Sequence, residues 1–262
     1  MTELLQVRFI LLPLAALFGA VFGSFATALI YRLPNEINWV TKRSECTKCH
    51  HKLGALDLFP IISYLISGGK CRYCKTKFGS NYFWIEILMV ITFTSSAYFF
   101  GPSFKAVIIS LLGFACIIIC AIDFEHYIIP DEMNILVFTL GIIYGIYNDA
   151  GLDQLILMPA CYLGLALFLR YFMFAWKKKE GLGLGDVKFF LAAGSFLNIE
   201  ILPVFLLFSG LCGIINALCW RLMKKGEIFP FGPSLSISLL FCVAYPESET
   251  FLTGFVQDYV YR

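Results

Sequence analysis

Charge is scarce in this sequence, and its absence excludes a good deal. Asp, Glu, Lys and Arg make up only 15% of the 262 residues, where a soluble domain carries about 25%. The uncharged stretches are long, and a helix crosses a bilayer core with about 20 apolar residues. A water-soluble globular domain is therefore excluded. Strict alternation of polar and apolar residues is also missing, which excludes a membrane barrel. Backbone groups in lipid must be paired within their own segment, so the apolar blocks are helices. An excess of either sign is missing too. The net charge is +2, too small to draw in nucleic acid, and no such partner is expected.

What is present is hydrophobic, at 59% of residues. The apolar blocks run near 8–31, 83–100, 104–122, 132–148, 153–175, 186–198, 200–221 and 229–246. The fourth and sixth are short, so the sequence predicts an all-α polytopic membrane protein with six to eight transmembrane helices. The first block, FILLPLAALFGAVFGSFATALIY, is much longer than the apolar core of a removable signal peptide. Three segments follow: a first transmembrane helix over 1–31, a loop domain over 32–82, and a polytopic domain over 83–262.

The basic residues set the orientation. Loop 32–82 holds nine of them: Arg32, Lys42, Arg43, Lys48, Lys52, Lys70, Arg72, Lys75 and Lys77. Lys177, Lys178 and Lys179 mark a second loop, and Arg221, Lys224 and Lys225 a third. The other side has only Arg8, Lys105 and Arg262. The excess of cations on one side places loop 32–82 in the cytoplasm and both termini outside.

The ten cysteines fall into two groups. Cys116, Cys120, Cys161, Cys212, Cys219 and Cys242 lie in apolar blocks and read as small packing residues. The other four form CTKC (46–49) and CRYC (71–74), two CxxC pairs with 21 residues between them. Such turns point two sulfurs each at one metal, and Cys46, Cys49, Cys71 and Cys74 together complete a tetrahedral zinc site. A disulfide pairing is the alternative, disfavoured in a reducing compartment. Four thiolates leave no open position, so this zinc is structural. His50 and His51 are alternative ligands or solvated loop residues.

Acids at a membrane boundary are costly and usually functional. Asp123 closes the run AVIISLLGFACIIICAI, Asp186 opens the run after GLGLG, and Glu86 lies just inside the second helix. Two carboxylates facing each other would share one proton, the chemistry of an aspartyl protease dyad. The local alternative for Asp186 is a helix cap. Asp131, after Pro130, reads as a cap, and Glu125 and Glu132 read as solvated acids. Gly183 and Gly185 carry no side chain, so a substrate backbone can lie close beside the Asp186 carboxylate.

Taken together, these motifs resemble the type IV prepilin peptidases, also called prepilin leader peptidases/N-methyltransferases, a family of GxGD membrane aspartyl proteases. The resemblance runs in order through GSFATALIYRLP (23–34), the two CxxC pairs, DLFPIISYL (57–65), YFWIE (82–86), IDFEHYIIPD (122–131), GLGLGDVK (181–188) and PFGP (230–233). Thr27, Leu58 and Gly68 depart from the usual family residues, and the loop resembles the variant of Gram-positive competence and pilus systems. The resemblance implies Asp123 and Asp186 as catalytic residues and type IV prepilins or pseudopilins as substrates, cleaved after a glycine at the cytoplasmic face of the bacterial cell membrane. It also implies methylation of the new N-terminus from S-adenosylmethionine, with Ser24, Arg32 and Glu86 as contributors. A peptidase without methyl transfer, and a non-enzymatic zinc-ribbon scaffold for pilus assembly, are the competing readings. A transporter would place its acids near the bilayer midplane, not at one face.

Overall fold

The computed structural model describes residues 2–178, 181–224 and 229–245. Lys179, Lys225 and Arg262, which enter the charge count above, lie outside the described residues, as does the last residue of the apolar block ending at 246. Each of the eight apolar blocks is a helix. In chain order they are α1 (Thr2–Arg32), α3 (Ser80–Phe100), α4 (Phe104–His126), α5 (Asp131–Tyr147), α6 (Met158–Lys177), α7 (Leu184–Gly194), α8 (Leu202–Leu222) and α9 (Gly232–Ala244). A short helix in the first loop, α2 (Ile62–Ser67), has no counterpart in the sequence reading. A single π-helical turn, Asp153–Leu157, leads into α6. Among the described residues there is no strand, only two isolated bridges.

Among the described residues, five helices are long and apolar enough to cross a membrane: Arg8–Arg32, Ser80–Phe100, Phe104–His126, Asp153–Trp176 and Leu202–Leu222. Of the other three, α5 has the 17 residues of its expected block, while α7 and α9, with 11 and 13, are shorter than theirs. α7 has 11 residues, which at about 1.5 Å each reach about 17 Å, little more than half a bilayer core. Its neighbours explain its length. α5, α6 and α9 all pack on it, and Val187, Phe189, Phe190, Ala192, Ala193 and Gly194 are buried. A helix whose apolar side chains are buried by its neighbours belongs inside a bundle, where it need not match the lipid.

The chain divides into two compact units, Met1–Ile118 and Ile119–Arg262, with α4 passing from one to the other. In the first unit α1 packs along α3. Gly19 and Gly23, one helical turn apart, make that approach close. A Cβ on Gly19 would lie 2.8 Å from the Met89 carbonyl oxygen and the Val90 Cα, and one on Gly23 would lie 2.9 Å from the Glu86 Cα. Between membrane helices there is little hydrophobic drive, so small residues that let backbones touch do the packing. Phe22 sits between these glycines and packs on Phe93 and Phe114, with ring centroids 5.1 and 5.2 Å apart.

A side chain at position 23 has no space to enter. Gly23→Val should lower stability by about 1–3 kcal/mol, the usual cost of overpacking, read as a lower thermal midpoint in detergent. Gly210, a helix glycine whose Cβ would meet nothing within 4 Å, is the control. Gly210→Ala should leave the midpoint unchanged or raise it.

Candidate functional site

Asp123 and Asp186 both lie in the second unit. Asp123 sits in the last turn of α4 with 5% of its surface exposed. Its Oδ2 accepts the backbone N–H of Gly232 at 2.7 Å. α4 ends three residues on, where Tyr127 takes a left-handed conformation (φ 57°) and donates its N–H to the Asp123 carbonyl at 3.0 Å. Gly232 opens α9, and only glycine fits there. A Cβ would lie 2.8 Å from Asp123 Oδ2 and 3.2 Å from its carboxyl carbon.

Asp186 is the third residue of α7, whose N-cap is Gly183. Its Oδ2 accepts the Gly183 N–H at 3.0 Å, which satisfies one of the free donors of the helix start. The acid therefore does cap its helix, from the third position and not from the N-cap itself. The helix dipole also favours negative charge there. Gly232, which holds Asp123, opens α9, and α9 packs on α7, which bears Asp186.

A four-residue connection, 127–130, leads from α4 to α5 and is tied to the turn bearing Asp186. Gly185 abuts Ile129, where an added Cβ would lie 3.1 Å from the Ile129 Cβ. Asn134 Nδ2 reaches the Gly185 carbonyl at a long 3.5 Å. Lys188 Nζ bonds both carboxylate oxygens of Asp131, at 2.6 and 2.8 Å. This corrects the sequence reading of Asp131. The N-cap of α5 is Pro130, with no side-chain cap bond, and the Asp131 carboxylate is the partner of Lys188. Gly232, Lys188 and Asn134 were not singled out by the sequence, although two of them stand in the quoted motifs PFGP and GLGLGDVK. Their partners lie 109, 57 and 51 residues away, so no local pattern identifies them.

The cysteine cluster lies in the first unit. One potential ligand atom from each of Cys46, Cys49, Cys71 and Cys74 falls within 4.8 Å of all the others. The two turns share a pattern. Cys46 N–H donates to the His51 carbonyl and His50 N–H to the Cys46 carbonyl, as Cys71 does to Thr76 and Lys75 to Cys71. His50 and Lys75, each just after the second cysteine, are both left-handed, at φ 55° and 59°. The Cys46 and Cys74 sulfurs stand 3.8 Å apart, matching the edge of about 3.8 Å that follows from four Zn–S bonds of about 2.3 Å.

The thiols crowd one another. The Thr76 hydroxyl, then the Thr76 backbone, draws Cys74 down to about 6. At Cys49 the His51 backbone favours the thiolate, but burial and the neighbouring sulfurs outweigh it and push the thiol up to about 11. Four thiolates at this spacing want a divalent cation to relieve their repulsion. His50 and His51 are not in the cluster. His51 stacks on Tyr73 with ring centroids 3.6 Å apart, and His50 Nδ1 stands 3.9 Å from Glu45.

Beside the cluster, in the same unit, is a cavity of about 350 Å³ whose walls include Ser24, Arg32, Tyr64, Tyr82, Cys71 and Glu86. Ser24 Oγ donates to the Leu58 carbonyl at 3.2 Å. Arg32 donates to the Trp39 carbonyl and the Ser44 hydroxyl at 3.2 and 3.3 Å. Glu86 Oε2 accepts the Ile61 N–H at 2.7 Å. Ile61 has φ 60° and ψ −53°, a γ-turn of the rare positive-φ kind, and Glu86 holds this strained backbone in place.

Comparison with known proteins gives two family matches in chain order. Residues 17–100 match the bacterial peptidase A24 N-terminal domain, and residues 107–218 match the type IV leader peptidase family. Curated relatives are similar over most of their length. A prepilin leader peptidase/N-methyltransferase of Neisseria gonorrhoeae is 32% identical over 254 residues, covering 86% of this chain and 87% of the relative. Proteins of the same name from Pseudomonas aeruginosa (31%, covering 85% and 86%) and Vibrio cholerae (27%, covering 89% and 96%) are also similar. No solved structure matches the chain.

The sulfur cluster has a direct test in metal analysis. The purified protein should carry one thiolate-bound divalent ion per chain, such as zinc, measured by plasma mass spectrometry. Cys71→Ser or Cys74→Ser should each lose it, while Cys242→Ser, distant from the cluster in sequence and buried in α9, should retain it.

Proposed function

Since this chain belongs to the type IV leader peptidase family, we propose that Asp123 and Asp186 are the aspartyl dyad with which it removes the leader of a type IV prepilin or pseudopilin. The enzyme is a multi-pass bacterial membrane protein, a prepilin leader peptidase and N-methyltransferase. The supporting observation is the placement of two carboxylates in one compact unit, one bonded to the first residue of α9 and the other on α7, which packs on α9, each held by a single backbone N–H. That arrangement leaves the outer oxygens free for water and substrate.

The chemistry follows from a pair sharing one proton, which titrates as a unit. The ionised carboxylate takes a proton from a water molecule as the water oxygen attacks the scissile carbonyl carbon. The protonated partner gives its proton to the carbonyl oxygen, and a tetrahedral diol forms. Collapse of the diol breaks the C–N bond. The departing nitrogen takes the proton gained from water, and the diol hydroxyl returns the other to the pair. The products are a leader ending in a new carboxyl group and a pilin with a free N-terminal amine. Exposed Gly183 leaves room for an extended substrate strand beside Asp186, whereas the space beside Gly185 is taken by Ile129, so Gly185 acts by admitting that contact. The charge pattern supports a cytoplasmic site with both termini outside.

S-Adenosylmethionine supplies the methyl group for the second reaction. The cavity of about 350 Å³ is of the size that takes small ligands. Its two tyrosine rings suit a nucleobase, and Glu86 suits an amine. Ser24 and Arg32 would hold the polar parts of the ligand. One Glu86 oxygen is engaged by Ile61, and the other would accept the proton that the pilin ammonium must lose before its nitrogen can attack. The four-cysteine site, holding zinc, would brace the cavity wall through Cys71.

Intact-mass analysis of a prepilin incubated with the enzyme and S-adenosylmethionine separates the two reactions. Asp123→Asn and Asp186→Asn should each slow leader removal by about 10²–10⁴-fold, the usual worth of general acid–base catalysis, without loss of folded protein. Normal processing by either variant would sink the dyad. Gly232→Ala pushes a methyl group against Asp123 and should likewise slow leader removal. Glu86→Gln keeps an acceptor for the Ile61 N–H, so it should leave cleavage intact and abolish the added mass of about one CH₂ that methyl transfer would produce.

A further inference from the structure

We propose that residues 58–66, LFPIISYLI, form a re-entrant segment immersed among lipid acyl chains, although they belong to the loop that the charge pattern assigns to water. Depth is the first argument. Ser24, which donates to the Leu58 carbonyl, stands eight residues before Arg32, the basic end of α1. At about 1.5 Å per residue that is about 12 Å inside the helix end. Glu86, which holds the Ile61 N–H, stands six residues into α3, about 9 Å inside by the same rise. Gly23 and Glu86 touch, so both anchors lie at one level of the α1–α3 pair. The segment therefore reaches down beside two spanning helices, well below their ends.

Surface chemistry is the second argument. The nine residues carry no charge, and α2 buries none of its residues. Phe59, Ile62, Leu65 and Ile66 are 50%, 50%, 62% and 77% exposed. Ile62, Leu65 and Ile66 follow the i, i+3, i+4 spacing of one helix face. Single exposed apolar residues are ordinary, but a contiguous patch of them marks an interaction surface. This patch is continuous with the apolar surface of α3, to which it is joined by the stacking of Tyr64 on Phe83 at 5.2 Å.

Backbone pairing is the third. Irregular chain survives in a bilayer only where protein satisfies its polar groups. Here the Leu58 N–H donates to Gly54, Ile62 to Pro60, Ser63 to Phe59 and Leu65 to Ile61. Ile61 donates to Glu86, Pro60 has no N–H, and the Leu58 carbonyl receives Ser24. The charges resume only outside the segment, at Asp57, paired with Arg72 at 3.3 Å, and at Lys70. The strained γ-turn at Ile61 is the point where the chain reverses.

The test uses the wild-type protein in phosphatidylcholine–phosphatidylglycerol vesicles containing a phospholipid with a diazirine in its acyl chain. After irradiation, labelled peptides are mapped by mass spectrometry. The exposed α1 residues Leu14, Leu17 and Phe18 report the labelling of a spanning helix. Residues 58–66 should be labelled to a similar degree, about tenfold above the cysteine turn 44–52, since carbenes in the acyl region reach only immersed chain. Labelling of α1 with none in 58–66 would overturn the proposal and leave the peptidase reading untouched. An unlabelled α1 would overturn it as well, by removing the spanning helix on which the depth is measured. An adduct on 44–52 equal to that on 58–66 would equally count against it.

Discussion

A carboxylate at the edge of a bilayer must be given hydrogen-bond donors by the protein, because lipid offers none. The second unit is arranged around that requirement. Asp123 takes its donor from the first residue of α9, and Asp186 takes its donor from the turn before α7. Each donor is a glycine N–H, and at Gly232 no larger residue leaves room for the acid. The shortness of α7 belongs to the same design. A helix that starts with an acid proposed to meet water and substrate must begin where they can reach it, and burial among α5, α6 and α9 relieves it of spanning the lipid. The Asp131–Lys188 pair and the Ile129–Gly185 contact then hold the connection after Asp123 against the turn of Asp186. Both pair members are largely exposed, so the pair fixes a register more than it adds stability.

The first unit solves a different problem, that of attaching a polar module to two membrane helices. Gly19 and Gly23 bring α1 against α3, and the loop between them closes at both ends. One closure is Arg32 on Trp39 and Ser44. The other is Ser24 and Glu86 on the apolar middle of the loop. The four sulfurs organise the remainder, with two matching turns replacing a core that so short a segment has too few apolar residues to build. The cavity lies where these parts meet, so the residues expected to serve methyl transfer also hold the loop together. Glu86 accepts the N–H of the strained Ile61 through one oxygen and also lines the cavity.

Much of this was legible because the signals are local. Charge depletion over long stretches located all eight main helices, and the CxxC spacing located the sulfur cluster that the structure gathers within 4.8 Å. The two aspartates stood out because an acid beside a long apolar run is rare. Length was less legible. Composition says that a helix avoids water, not whether lipid or protein surrounds it, so α9 reads as a span when it is a helix of 13 residues, and the block of α7, short already in the sequence, is buried by protein. Asp131 was misread for a related reason. An acid after a proline has the form of a cap, and only the position of Lys188, 57 residues on, shows where its carboxylate goes.

The sequence by itself determined that this protein lies in a membrane, that four cysteines converge, and that Asp123 and Asp186 flank apolar helices, because composition and short spacing carry those facts. The tertiary structure alone decided which backbone N–H holds Asp123, which lysine ties the two helices, and how deep the loop residues 58–66 lie beside α1 and α3. Those contacts join residues 25 to 109 positions apart, and a chain encodes such pairings only through the packing of whole helices.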